Sequence, residues 1–283
     1  MFRGLNRAGS RADYRWALQL GGKTYELALN DSTNHLHGGV QGFDKRVWTA
    51  IPVLDPDGAP SLRLSYISHD GEEGYPGEAR VMVTYTITES NVLLVETEAA
   101  ASQPTPLSLT QHSYFNLAGE AADSIVDHVL QIHSDEFVLT DERMTLLGRV
   151  VSVAGRGCDF RQPKCLRDEI PRLFQCHGDL YHVRGPVQNG PELRPVPIAR
   201  LVHPESGRVL EVSTTETYMQ LYTGAGLNGT LMGKSGVAYA RHAGLCLECE
   251  GYPDGANAPA LGDIILRPGH PRRAISRYAF CTS

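Results

Sequence analysis

The sequence predicts an all-β protein built as one large antiparallel β-sandwich. Three observations carry that expectation. Alternating apolar and polar runs recur along the chain, amphipathic helical periodicity is scarce, and turn-rich segments at 55–60, 70–77, 185–197 and 252–262 are dispersed rather than gathered into a linker. Neither an internal repeat nor a low-complexity tract interrupts the pattern, so a single domain over residues 1–283 is the expected organisation.

Taken in order, residues 79–88 alternate, and 92–99 follow after the turn Glu89-Ser90-Asn91, which reads as a hairpin. Residues 129–133, 207–214 and 219–223 continue the strand signal, and helix is expected only in short pieces such as 166–174. Near the C-terminus, Leu245 and Leu247 alternate with polar neighbours. As a strand, this segment sends Cys246 and Cys249 to opposite faces, so their C-x-x-C spacing cannot hold one metal. The same reading puts Cys246, Glu248 and Glu250 on a common face and makes core packing the default for the cysteines.

Composition excludes several classes. With 283 residues the chain can bury a substantial core; its 41% hydrophobic and 20% charged content is that of a globular protein. No apolar stretch approaches the roughly 20 residues that cross a bilayer, so no membrane partner is expected. A formal charge of -6 without a dense basic block argues against nucleic acid. Six unevenly spaced cysteines without a signal peptide do not form a secreted disulfide framework, which points to a reducing, cytoplasmic setting. Arg3, Arg7, Arg11 and Arg15 repeat at a four-residue spacing, but Asp13 and the lack of serine richness favour a solvated basic segment over a transit peptide.

Two short motifs invite chemistry and do not carry it alone. His35 and His37 alternate in an extended segment and could face one metal, yet no carboxylate or third histidine appears before Asp44. His37-Gly38-Gly39 suggests an oxyanion-hole turn, but the chain has no G-x-S-x-G nucleophile elbow; a tight turn is the simpler reading.

Taken together and in order, the segments are specific. Asn34-His35-Leu36-His37-Gly38-Gly39, Gly42-Phe43-Asp44-Lys45-Arg46-Val47-Trp48, Asp70-Gly71-Glu72-Glu73-Gly74-Tyr75-Pro76-Gly77 and Thr110-Gln111-His112-Ser113-Tyr114-Phe115-Asn116-Leu117-Ala118-Gly119 precede Gln220-Leu221-Tyr222-Thr223-Gly224, then Leu247-Glu248 with Pro253-Asp254. This series resembles the signature of the aldose 1-epimerase, or galactose mutarotase, family from about Asn6 to the C-terminus. The resemblance implies a galactose mutarotase-like supersandwich that interconverts the α and β anomers of free hexoses such as galactose and glucose, with no cofactor, acting as a monomer.

That reaction opens a hemiacetal: a base removes the C1 hydroxyl proton, an acid protonates the ring oxygen, and reclosure after rotation inverts C1. By resemblance Glu248 is the base and His112 the acid. His37 lies by the same sugar oxygens, Arg7 donates to hydroxyls, Asp179 accepts from two adjacent hydroxyls, and Gln220 supplies a donor and an acceptor. Tyr252 reads equally as a wall for the sugar and as a core tyrosine.

The chain departs from the family pattern at three places. Asp179 lacks the usual preceding aromatic and the following His or Asn. Glu250 stands where a glutamine is common, and on the face of Glu248 it would force one carboxyl to hold its proton. Only Met1 to Leu5 precede Asn6-Arg7, where family members carry several strands, so the expectation is an N-terminally shortened member with exposed sheet edges and lowered stability. These departures leave an alternative: a catalytically impaired or non-catalytic sugar-binding member.

Overall fold

A computed structural model describes residues 16–32, 34–142, 145–173, 178–183 and 193–283. Its strands are β1 (Trp16–Leu20), β2 (Lys23–Leu27), β3 (Thr49–Leu54), β4 (Pro60–Ser68), β5 (Ala79–Ile87), β6 (Val92–Ala101), β7 (Thr105–Pro106), β8 (Val129–Ile132) and β9 (Glu136–Thr140). They continue as β10 (Leu146–Ser152), β11 (Lys164–Cys165), β12 (Leu180–His182), β13 (Val196–His203), β14 (Arg208–Thr214), β15 (Tyr218–Tyr222), β16 (Cys246–Glu250), β17 (Ile265–Leu266) and β18 (Arg272–Thr282).

Two antiparallel sheets face each other. One has nine strands in the order β11-β8-β13-β14-β18-β6-β5-β4-β3, the other five in the order β10-β9-β12-β15-β16, and β1-β2 and β17-β7 form two small ribbons. One continuous apolar cluster fills the space between them: Val81, Val83, Val95, Leu210, Val212 and Tyr278 from the larger sheet meet Phe137, Tyr181, Met219, Leu221 and Leu247 from the smaller. Each strand contributes alternate residues, so burial of one apolar face per sheet holds the sandwich together. The Tyr278 hydroxyl also donates to the Leu247 carbonyl across the gap, at 3.2 Å.

The expected hairpin is β5-β6, paired from Ala79↔Ala101 to Ile87↔Leu93. Its turn closes through the Asn91 N–H to the Thr88 carbonyl, with Asn91 at φ 59°, a left-handed conformation asparagine tolerates. The short helix is shorter than 166–174. One α-turn, α1 (Leu166–Glu169), passes into a 3-10 turn at Ile170–Arg172, where Pro171 has no N–H to donate.

In β16, Leu247 and Cys249 point into the inter-sheet core, whereas Cys246, Glu248 and Glu250 share the opposite face. That face is also covered: a second cluster of Val138, Leu146, Leu180, Tyr218 and Tyr252 packs outside the five-stranded sheet. Glu248 therefore sits on the non-core side of a strand and is still 6% exposed.

Candidate active site

The motif segment at 70–77 reaches across the sequence to brace the loop around His37. The Glu73 carboxylate accepts the N–H groups of Val40 at 2.9 Å and Gln41 at 3.0 Å, while Arg46 lies 3.5 Å from Glu72 and 4.0 Å from Glu73. From the other side, Asn30 donates to the carbonyls of Leu36 and Gly39 and accepts the Leu36 N–H. His37 itself adopts φ 54°, and Gly39 φ 106° with Glu73 packed where a Cβ would go, so this position requires glycine.

The H-x-H pair is divided between two tasks. His35 is buried, its Nδ1–H donating to the Ala28 carbonyl and its Nε2 accepting from the Tyr75 hydroxyl, both at 2.7 Å. Both ring nitrogens are thus committed, and no metal is shared with His37. His37 turns the other way, its ring 5.7 Å from that of His112 in an edge-on arrangement.

The run 110–119 is an irregular crossing segment rather than the end of a regular strand. One isolated bridge pins it: Phe115 N–H donates to Leu245 O at 2.7 Å, and Leu245 N–H returns to Phe115 O at 3.0 Å. Asn116 donates to the Ala243 carbonyl, and His128 Nε2 accepts the Leu117 N–H. These ties lay the segment beside the start of β16 and bring His112 over the face that carries Glu248. His112 Nε2 lies 3.4 Å from Glu248 Oε1, with side chains 14% and 8% exposed. That is slightly longer than a hydrogen bond.

Burial governs the charges here. It pushes the Glu248 carboxyl up to about 8 and lowers the His112 imidazole from its ordinary value. Both shifts favour the uncharged forms, a carboxylic acid facing a neutral imidazole. His37 falls to about 4, through burial first and then the charge of His112. Glu250 shares the face of Glu248, as expected, and its carboxyl is held well above the usual range by burial first, then by Glu248 and Glu216. Burial and the two neighbouring carboxylates thus favour the protonated form of Glu250.

Gln220 joins this centre directly. It is the ladder partner of Glu248 across β15-β16 and of Leu180 across β12-β15, so its side chain shares the Glu248 face; its Nε2 donates to the Leu221 carbonyl at 2.6 Å. Asp179 follows one step along: its carbonyl accepts the Leu221 N–H at 3.0 Å, and burial lifts its carboxyl to about 6. The groups that feel its charge are Cys158 and Tyr181, and among the described residues no direct contact joins it to His112 or Glu248. Arg7 lies outside the described residues. Tyr252 is fully buried with its ring 5.2 Å from that of Tyr218, hence a packing residue.

Two aromatic neighbours escaped the sequence reading. Tyr114 stacks on His112 with ring centroids 5.3 Å apart, and Tyr222 meets the same imidazole edge-on at 6.3 Å. The signal was present as spacing, because Tyr222 lies two residues beyond Gln220 on one strand face. A groove of about 500 Å³ lies elsewhere, on the outer face of the nine-stranded sheet between Leu54, Arg63, Thr84, Glu96 and Arg273. Neither His112 nor Glu248 lines it.

Comparison with known proteins places the chain among sugar epimerases by sequence and by fold. The sequence model of the family described as aldose 1-epimerase matches residues 12–279. Human galactose mutarotase is 45% identical over 252 residues, covering 88% of this chain and 69% of the relative. The aldose 1-epimerase of Escherichia coli K12 is 34% identical over 266 residues, 92% of this chain and 74% of the relative. Among solved structures, an aldose epimerase homologue from Caenorhabditis elegans superposes with a TM-score of 0.83 at 27% identity, covering 99% of this chain and 81% of that one. A galactose 1-epimerase from Lactobacillus acidophilus gives 0.80 at 25% identity, covering 99% and 79%.

Proposed function

The chain belongs to the aldose 1-epimerase family, and from that premise we propose that His112 and Glu248 are the acid and base with which it interconverts sugar anomers. It is an isomerase acting on the α and β forms of hexoses, galactose foremost. The observation that carries the assignment is the 3.4 Å approach of His112 Nε2 to Glu248 Oε1. Two proton-transfer groups so close can each reach one of two neighbouring oxygens, as the C1 hydroxyl and the ring oxygen of a hemiacetal are.

A sugar entering between them restores the polar contacts that burial removes. The proton moves from Glu248 to His112, leaving a carboxylate at the C1 hydroxyl and an imidazolium at the ring oxygen. Ring opening takes one proton onto Glu248 and gives one from His112, so the open-chain aldehyde sits beside the same uncharged pair as in the empty site. Reclosure after rotation about C1–C2 reverses both transfers. No electrons leave the sugar, so the chemistry requires neither a nicotinamide nor a metal.

Gln220 hydrogen-bonds ring hydroxyls beside Glu248. His37, neutral at working pH, bonds the same oxygens as His112, Asp179 accepts from hydroxyls at the far end of the ring, and Arg7 donates to them. Galactose and glucose as free sugars, one domain over 1–283, a monomer and a cytoplasmic location complete the reading. One continuous apolar core spanning Phe43 to Tyr278 supports the single domain, and free cysteines among the described residues agree with a reducing compartment. Nothing favours the non-catalytic alternative. Polarimetry on freshly dissolved α-galactose tests the assignment: the chain accelerates equilibration, and His112→Asn slows it by about 10² to 10⁴-fold. Unchanged rates in that variant would overturn the assignment of the acid.

A further inference from the structure

The face of β16 that carries Glu248 also carries Cys246, and the pair His112–Glu248 lies beside that thiol. One ligand atom from each of His112, Cys246 and Glu248 lies within 4.8 Å of the other two. Nitrogen and oxygen ligands held tetrahedrally at zinc distances stand about 3.3 Å apart. The 3.4 Å between Nε2 and Oε1 already matches that edge, and the Cys246 sulfur lies within 4.8 Å of a ligand atom of each. Imidazole, thiolate and carboxylate form a borderline-soft set that suits Zn²⁺ and not the hard cations Mg²⁺ or Ca²⁺.

We propose that His112, Cys246 and Glu248 form a Zn²⁺ site whose occupancy shuts off the epimerase. The charge balance suits a buried position. With the thiol and the carboxyl deprotonated, Zn²⁺, thiolate, carboxylate and neutral imidazole sum to zero. Such a balance avoids leaving a net charge in a low-dielectric setting. The metal takes the lone pair of Nε2 and the carboxylate oxygen together, so neither proton transfer can proceed. The switch-off rests on the acid/base roles proposed above; the metal binding does not.

Chelator-treated protein titrated with Zn²⁺ should lose mutarotation with one equivalent per chain, falling at least about 100-fold at saturation. In parallel, Co²⁺ should give a saturable thiolate-to-cobalt charge-transfer band in the near ultraviolet. Cys246→Ala should abolish that band and weaken Zn²⁺ inhibition at least about tenfold, because even indirect partners of a metal ligand carry that much affinity. Metal-free Cys246→Ala should still equilibrate galactose; Cys246→Ser serves the same comparison if the alanine variant does not fold. A parent chain that shows no saturable band, or a band surviving the loss of Cys246, overturns the site. Should the parent prove inactive, the cobalt band and its dependence on Cys246 still decide the metal site, while the acid/base reading fails separately.

Discussion

Glu248→Gln should abolish catalysis and, above neutral pH, make the protein more stable. In the unfolded chain the carboxyl titrates at 4.5, and in the folded protein burial raises it to about 8. A group whose folded value is raised takes up a proton on folding between those two pH values. Its favourable, protonated state is fully present below 4.5 and is lost as pH rises towards 8. At about 1.4 kcal/mol per pH step, the gap corresponds to roughly 5 kcal/mol, and sharing of the proton with His112 brings the expected span to about 2–5 kcal/mol. Glutamine has the shape of the protonated carboxyl and does not titrate. Parent and variant should therefore unfold alike near pH 4.5 and diverge steadily, with the variant the more stable by that span above pH 8. His112, lowered by burial, acts in the opposite sense and is present in both chains, so the difference reports Glu248 together with its coupling to His112. Urea unfolding at matched pH, with polarimetry on the same samples, provides the assay. A stability difference that does not grow with pH, or a variant retaining mutarotation within about tenfold of the parent, would refute the reasoning.

Three further outcomes are expected. Glu73→Gln replaces a carboxylate that accepts two backbone N–H groups and should destabilise by about 1–3 kcal/mol in thermal melts while raising KM, because the loop bearing His37 loosens. Arg272→Met strands Glu216, whose side chain is 7% exposed and 2.7 Å from the guanidinium, and should cost about 3–5 kcal/mol; adding Glu216→Leu should recover most of the loss on the same melting curves. Asp179→Asn should raise KM for galactose by roughly 10- to 100-fold with kcat little changed, measured by initial polarimetric rates, since a charged acceptor contributes about 1.5–3 kcal/mol.

What was legible in the sequence followed local periodicity. The β5-β6 hairpin and the common face of Cys246, Glu248 and Glu250 rest on a period of two, which any strand enforces. The helix at 166–174 was overextended because its apolar spacing concealed Pro171. Other features depended on partners far away in sequence. The path of His112 is fixed by Leu245, Ala243 and His128, and the meeting of Gln220 with Glu248 is set by ladder register, which no local pattern specifies. Tyr114 and Tyr222 became visible as neighbours of the imidazole only once those segments converged. Asp179 illustrates the opposite case: resemblance alone singled it out, and in the fold its carbonyl accepts from Leu221 of β15 while the groups that feel its charge are Cys158 and Tyr181.

The brace at Glu73 has a consequence for altering substrate preference. It grips the loop after His37 by main-chain amides, so the side chains of Val40, 54% exposed, and Gln41 are not committed to holding it. Any residue with a backbone N–H can occupy those two positions without loosening the histidine; proline cannot. Residues 40 and 41 are therefore where libraries of variants can reshape the surface near the sugar while leaving the anchored imidazole in place.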